Sequence, residues 1–230
     1  MNPEKSNDNA NIIINKTNGV KYLQFKKLLE YKNIVHGYSL GTDLDFRTSY
    51  GNNNEKLVNK YRKSIESYKK MCNAIGCDYI NIVKPNQKHT NCVKIVESKI
   101  LKSEPDINLP EYNNTDGLIT NKNKIVLATT NADCILMLFY DPVKNVIANV
   151  HSGWRGTLQK IAEVTVKKMM TDFDCKPSNI ICAIAPSIRK CHFEVKKDVK
   201  DLFQNEFDQE EFKFCIEEKI PNEKWNIDTV

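Results

Sequence analysis

Apolar residues recur along this chain at two periods, and the switches between them mark its elements. From residue 55 to about 75, Leu57, Val58, Tyr61, Ile65, Tyr68 and Met71 fall three or four apart, the spacing of one helix face. Gly76 follows directly and predicts the stop. Shorter apolar runs predict strands at 12–14, 35–38, 79–83, 92–96, 125–129, 135–140, 146–150 and 180–185. The run 135–140 lacks polar alternation, so it predicts a central strand covered on both faces. Asp141-Pro142-Val143-Lys144-Asn145 is turn chemistry leading to the returning strand. Past residue 150 the helical period resumes. Leu158, Ile161, Ala162, Thr165 and Met169 predict the buried face of one helix running to Met170, with Thr157 as its cap. Another helix is predicted over 195–207. Hairpins mixed with helices, without an internal repeat, predict an α+β fold: a single domain of mixed β-sheets, hairpins and flanking helices.

Polar stretches complete the outline. Residues 1–10 are predicted to be a disordered N-terminus and residues 11–230 to form the domain. A polar loop is expected through Asn54, and the Pro- and Asn-rich segment 102–114 is expected on the surface.

Composition narrows the function classes. Hydrophobic residues make up 40% and charged residues 27%, ordinary for a globular protein. The 34 Lys+Arg against 29 Asp+Glu give a net charge of +5, carried by scattered pairs without aromatic interleaving. Nucleic acid is therefore not an expected partner. The start of the chain lacks a signal-peptide apolar stretch, and the most apolar segment, 134–140, is too short for a membrane. No membrane partner and a cytoplasmic location are the expectations. The eight cysteines form no CxxC pair and should stay reduced there. Nothing in the pattern sets an oligomeric state.

Four histidines remain to carry chemistry: His36, His89, His151 and His192. His151 ends a predicted strand and opens the turn Ser152-Gly153-Trp154-Arg155-Gly156, while His89 lies in the connection 84–91. Cys134 lies between strands beside Asp133. Two imidazoles and one thiolate suit zinc with an open fourth position, the arrangement that activates water near neutral pH. The separations 89 to 134 and 134 to 151 match no short metal motif. On composition alone the three residues read sooner as two hydrogen-bonded turn histidines and a buried cysteine than as a metal site. His36 and His192 read as structural.

Longer motifs add to this. Gln87-Lys88-His89, Asp116-Gly117-Leu118-Ile119-Thr120, Ala132-Asp133-Cys134 and His151-Ser152-Gly153-Trp154-Arg155-Gly156-Thr157 occur in that order. Ile184-Ala185-Pro186-Ser187-Ile188 and Cys191-His192-Phe193-Glu194-Val195 follow. The set resembles the laccase-domain family, also called the multicopper polyphenol oxidoreductase family, from residue 34 to 228.

The resemblance implies His89, Cys134 and His151 as metal ligands, with Zn2+ as cofactor and copper as the alternative. It implies a purine nucleoside phosphorylase that takes a purine nucleoside and inorganic phosphate, with adenosine deaminase and methylthioadenosine phosphorylase activity beside it. Asp133 is then the nearest candidate for moving protons, or a structural carboxylate. Gly153, Trp154 and Arg155 become substrate-binding candidates: backbone N–H groups at a helix start, an indole to stack a purine, and a guanidinium fork for phosphate. Arg155 can instead pair with an acidic neighbour and Trp154 can instead belong to the core. Glu194 is a candidate for orienting Arg155 or His89.

Three other functions stay open: copper-dependent polyphenol oxidation, editing hydrolysis of a peptidoglycan precursor, and an inactive zinc-stabilised binding module. Four histidines cannot supply the trinuclear cluster of a multicopper oxidase. The chain departs from the family pattern at Thr90, where glycine is usual, and at Leu40-Gly41-Thr42-Asp43, where an arginine and a glycine pair are usual. Family members usually continue past Trp225-Asn226-Ile227-Asp228 with a Cys-Thr pair and an aromatic-Ser-Tyr-Arg-Arg motif. This chain is expected to lack that segment.

Overall fold

The computed structural model describes residues 11–47, 55–98, 106–107, 109–221 and 223–230, which fall into two compact units, Met1–Asn81 and Ile82–Val230. The expected disordered segment 1–10, the loop 48–54 and most of 102–108 lie outside the described residues. The architecture is α+β, with mixed sheets, hairpins and flanking helices. No described helix is long and apolar enough to cross a membrane.

In the first unit, β1 (Ile12–Thr17) and β2 (Val20–Phe25) form an antiparallel hairpin, followed by the single turn α1 (Lys26–Leu29). β3 (Tyr38–Leu40) adds antiparallel to β2. The long helix α2 spans Glu55–Ile75, as its apolar period predicts, and Gly76 ends it in the left-handed region at φ +82°. Val20, Tyr22, Met71 and Ala74 close a small core, and the Tyr22 hydroxyl donates to the Ala74 carbonyl at 3.1 Å.

Two strand expectations shift here. The run 35–38 pairs only from Tyr38 onward, because His36 engages β2 with its ring and its own carbonyl rather than through a ladder. Residues 79–81 form a 3-10 turn instead of the start of a strand. Asp78 takes the Ile80 amide on its carboxylate and the Asn81 amide on its carbonyl, removing donors that a strand would need.

The second unit is built on a five-stranded sheet. Its strands are β5 (Val93–Ile95), β7 (Gly117–Thr120), β9 (Ile135–Asp141), β10 (Val146–Ser152) and β11 (Ile181–Ile184), in the order β11-β9-β10-β7-β5. All neighbours are antiparallel except β5 and β7. A parallel three-stranded sheet holds β4 (Ile82–Lys84) between β6 (Asp106–Ile107) and β8 (Val126–Leu127).

The apolar run 135–140 is interior to its sheet, as its pattern predicts. On one face Ile135, Met137 and Phe139 join Val146, Ala148 and Val150 beneath Ile161 and Met169 of α4 (Ile161–Phe173). Beyond the other strands, Leu118 packs with Val83, Val96 and Leu127. Each such fully buried aliphatic side chain contributes about 1.5–3 kcal/mol. Gly117 is required by this packing, since a Cβ there would lie 2.9 Å from Val93 Cγ2 and 3.2 Å from Val150 Cγ2.

The expected single helix from Thr157 to Met170 is two helices. α3 (Trp154–Leu158) ends before Lys160, which takes the left-handed conformation at φ 55°, and α4 begins afterwards. Thr157 lies inside α3 with its hydroxyl 3.0 Å from that of Ser152, so it caps nothing. The break lets Trp154 and Leu158 pack on a separate cluster of Val195, Phe203, Trp225 and Ile227, while α4 stays on the main sheet. That cluster joins α5 (Lys197–Glu206), α6 (Gln209–Cys215) and the antiparallel sheet of β12 (Glu194–Val195), β13 (Ile216–Ile220) and β14 (Lys224–Ile227).

Candidate metal centre and adjoining cavity

The β9–β10 hairpin explains how Cys134 and His151 meet. Register pairs Ile135 with Ser152 and Leu136 with His151, so Cys134, one residue before β9, lies at the open end of the hairpin beside the end of β10. The third residue arrives by a different route. β7 pairs with β10 so that Gly117 faces Val150, which sets Asp116 against His151, and the His151 amide donates to the Asp116 carbonyl at 2.7 Å.

The Asp116 carboxylate then organises the loop that carries His89. It accepts from the amides of Lys88 (3.1 Å), His89 (3.0 Å) and Thr90 (2.8 Å) and from the Thr90 hydroxyl (2.9 Å). Thr90, where the family pattern has glycine, thus adds a donor to the carboxylate. His89 itself adopts φ 60°, an unusual value for a side-chain-bearing residue that this set of hydrogen bonds holds in place. Gln87 ties the same loop to the segment before Cys134, donating to the Thr130 carbonyl at 2.7 Å and accepting from its amide at 2.9 Å.

His89, Cys134 and His151 come together as a group in which one ligand atom from each lies within 4.8 Å of the others. His89 Nε2 is 3.8 Å from Cys134 Sγ, and the two imidazoles meet edge to face with centroids 5.0 Å apart. Tetrahedral bonds of about 2.0–2.3 Å place ligand atoms roughly 3.4–3.8 Å apart, so the donor set and its spacing fit a metal ion. His151 Nδ1 lies 2.8 Å from Asp116 Oδ1, which leaves Nε2 for the ion, in the carboxylate–histidine–metal pattern. Gly153 is needed at this point: a Cβ there would fall 2.3 Å from His89 Cδ2 and 3.4 Å from Cys134 Sγ.

Electrostatics follow from the same contacts. Burial works to raise the Asp116 pKa, but hydrogen bonds from His151, Thr90 and Lys88 outweigh it and hold the carboxyl at about 2. Burial works to lower His151, yet hydrogen bonds with Asp116 and Cys134 bring it up to about 9. His89 is pushed below its ordinary value by desolvation and by the neighbouring His151.

A cavity of about 390 Å³ adjoins the group, lined in part by Asp133, Cys134, Trp154, Ile188, His192 and Phe193. The lining mixes apolar side chains with Asp133, Ser152, His192, Glu194 and Thr229. A family model described as multi-copper polyphenol oxidoreductase laccase matches residues 48–230. The chain belongs to this laccase family. It is 31% identical over 140 residues to purine nucleoside phosphorylase LACC1 of Homo sapiens, covering 61% of this chain and 30% of that protein. It is 29% identical over 206 residues to a purine nucleoside phosphorylase of Bacteroides thetaiotaomicron, covering 85% of this chain and 74% of that one. The chain thus spans about a third of the human relative and three quarters of the bacterial one. The crystal structure of the hypothetical protein YfiH of Bacillus licheniformis has the same fold, with TM-score 0.73 at 23% identity over 90% of this chain and 77% of its own.

Of the laccase-family residues singled out by sequence, the structure places Asp133 and Trp154 on the cavity, Asp133 exposed and left-handed at φ 77°. Trp154 also packs against the core cluster of Val195, Phe203, Trp225 and Ile227, as the core reading of it expects. Gly153 is buried against the ligand side chains. Arg155 is exposed, with its guanidinium over the Trp154 ring at 4.1 Å, and no acidic group pairs with it among the described residues. α3 has only five residues, so any anion attraction here comes from Arg155 and not from a helix dipole. Glu194 pairs with Lys224 at 2.9 Å and orients neither Arg155 nor His89, because β12 and β14 hold those two side chains together.

Sequence reasoning passed over Asp116 as a site residue and read His192 as structural. His36 is structural as expected, accepting the Phe25 amide on Nε2 at 2.8 Å.

Proposed function

We propose that this chain is a zinc-dependent purine nucleoside phosphorylase. The observation that carries the reading is the His89–Cys134–His151 group opening onto a cavity walled by Trp154 and Phe193. His89, Cys134 and His151 would hold the ion, with Asp116 fixing the His151 tautomer. Such an ion supplies Lewis acidity beside a bound substrate. Zinc is favoured over copper because His36 is committed to Phe25, which leaves too few histidines for a multicopper cluster.

The chain's own side chains do the rest. Trp154 and Phe193 supply the aromatic part of the lining for the base to contact. Asp133, exposed at the cavity, is placed to accept a proton from a sugar hydroxyl or a water. Arg155, without an acidic partner among the described residues, can give a bidentate contact to phosphate. The cytoplasm suits this chemistry, since a reducing compartment keeps Cys134 a thiol ligand.

The test is a nucleoside panel with and without phosphate, with products separated by chromatography. Inosine should yield hypoxanthine and ribose 1-phosphate only when phosphate is present, and Arg155→Lys should raise the phosphate KM by about tenfold or more. Inosine formed from adenosine without phosphate would move the reading to deamination. Zinc-loaded protein inert toward every nucleoside would leave the binding module or the peptidoglycan-precursor hydrolase.

A further inference from the structure

His192 lines the cavity beside Cys134 and Asp133, and nothing in the metal group accounts for it. It is held on both sides. The His192 and Phe193 amides donate to the Arg189 carbonyl at 2.8 and 3.0 Å, closing a tight turn. Beyond it, the Ile227 amide donates to the Phe193 carbonyl at 3.1 Å, and Arg189 pairs with Asp228 at 3.1 Å. These bonds hold the backbone of the turn that carries His192 at the cavity.

The ring, exposed to solvent, has a sulfur neighbour. Cys191 Sγ lies 3.0 Å from His192 Nδ1, so that nitrogen is engaged by sulfur and Nε2 is the one left for the cavity. The carboxylates nearest in the lining are Asp133 and Glu194, and Glu194 is neutralised by Lys224. Among the described lining residues the imidazole is thus the titratable group besides Cys134 and the carboxylates.

Resting on the phosphorylase reading above, we infer that His192 is the acid that protonates the departing purine. A phosphate oxygen forms its bond to the sugar C1′, the C1′–N9 bond breaks, and its electron pair moves into the purine. The acid is the His192 imidazolium, whose Nε2 proton passes to purine N7 while Nδ1–H stays directed at Cys191 Sγ, so the base leaves neutral and the neutral imidazole then recovers a proton from solvent. Cys191 is a positioning residue that keeps Nδ1 occupied throughout.

A nucleoside that needs no such proton tests this. In 7-methylinosine N7 is already alkylated and cationic, so its base departs without acid help. His192→Gln in the full chain should slow inosine phosphorolysis by about 10²–10⁴-fold. Its effect on 7-methylinosine should be at least about tenfold smaller. Cys191→Ala, which leaves the imidazole in place, should give a milder loss that is again larger for inosine. Zinc content and melting temperature, followed in parallel, should match wild type. Equal losses on both nucleosides, or no loss on either, overturn the assignment and leave His192 a structural turn residue. Wild-type protein that releases ribose 1-phosphate from neither nucleoside overturns the phosphorylase reading itself, a result distinct from any variant effect.

Discussion

Two buried histidines in this chain have nearly the same exposure and opposite chemistry. His36, in the first unit, is 8% exposed and His151, in the second, 3%. The His36 ring stacks near Phe25 and takes that residue's amide on Nε2, and burial lowers its pKa. His151 presents Nδ1 to the Asp116 carboxylate, and its pKa rises to about 9 although burial opposes the rise. Burial therefore does not separate a structural histidine from a candidate ligand. The partner does: a backbone amide uses the ring's acceptor and finishes it, whereas a carboxylate holds one nitrogen and frees the other.

The comparison breaks most readily at Cys134. Replacing it with alanine should take the zinc content from about one ion per chain to near zero, because two ligands are too few. His36→Ala should leave zinc in place, by elemental analysis after gel filtration. Stoichiometric copper with an intense blue absorption in the purified protein would end the zinc reading.

Gly153→Ala should come next. The new Cβ, 2.3 Å from His89 Cδ2, forces the imidazole aside. Overpacking of about 1–3 kcal/mol corresponds to a loss of roughly 5- to 150-fold in metal affinity. Competition with a chromogenic chelator measures it, and unchanged affinity would mean His89 is not a ligand.

Asp116→Asn keeps the shape but removes the charge opposite His151, and metal affinity should fall by about 10–100-fold. An asparagine that binds zinc as tightly as the wild type would reduce Asp116 to a loop anchor.

The smallest effect belongs to His36. Its folded pKa lies below the ordinary 6.5, so the unfolded chain binds the proton more tightly. Its contribution is fully present above pH 6.5 and is lost as pH falls through the folded value. His36→Gln should cost about 1 kcal/mol near neutrality and flatten that acid limb in denaturant titrations. An acid limb of unchanged slope would assign the pH dependence to other groups.

Much of this was legible in the sequence, and for a definable reason. Helix α2 could be bounded closely because its apolar spacing and Gly76 act within a few positions of one another. The β9–β10 hairpin was equally legible, since apolar runs and turn residues are local signals and an antiparallel return brings residues before and after it together. The residue types of the metal group were visible too. What the sequence could not supply was Asp116 as their organiser, the break at Lys160, the 3-10 turn after Asp78, or His192 on the cavity. Each depends on a contact between segments distant in the chain or on a side chain capturing a backbone donor, and neither leaves a periodic trace. His89 reaches Cys134 only because a carboxylate across the sheet gathers three successive amides of its loop. Local pattern determined the strands and helices; strand register and that one buried charge decided where His89, Cys134 and His151 meet.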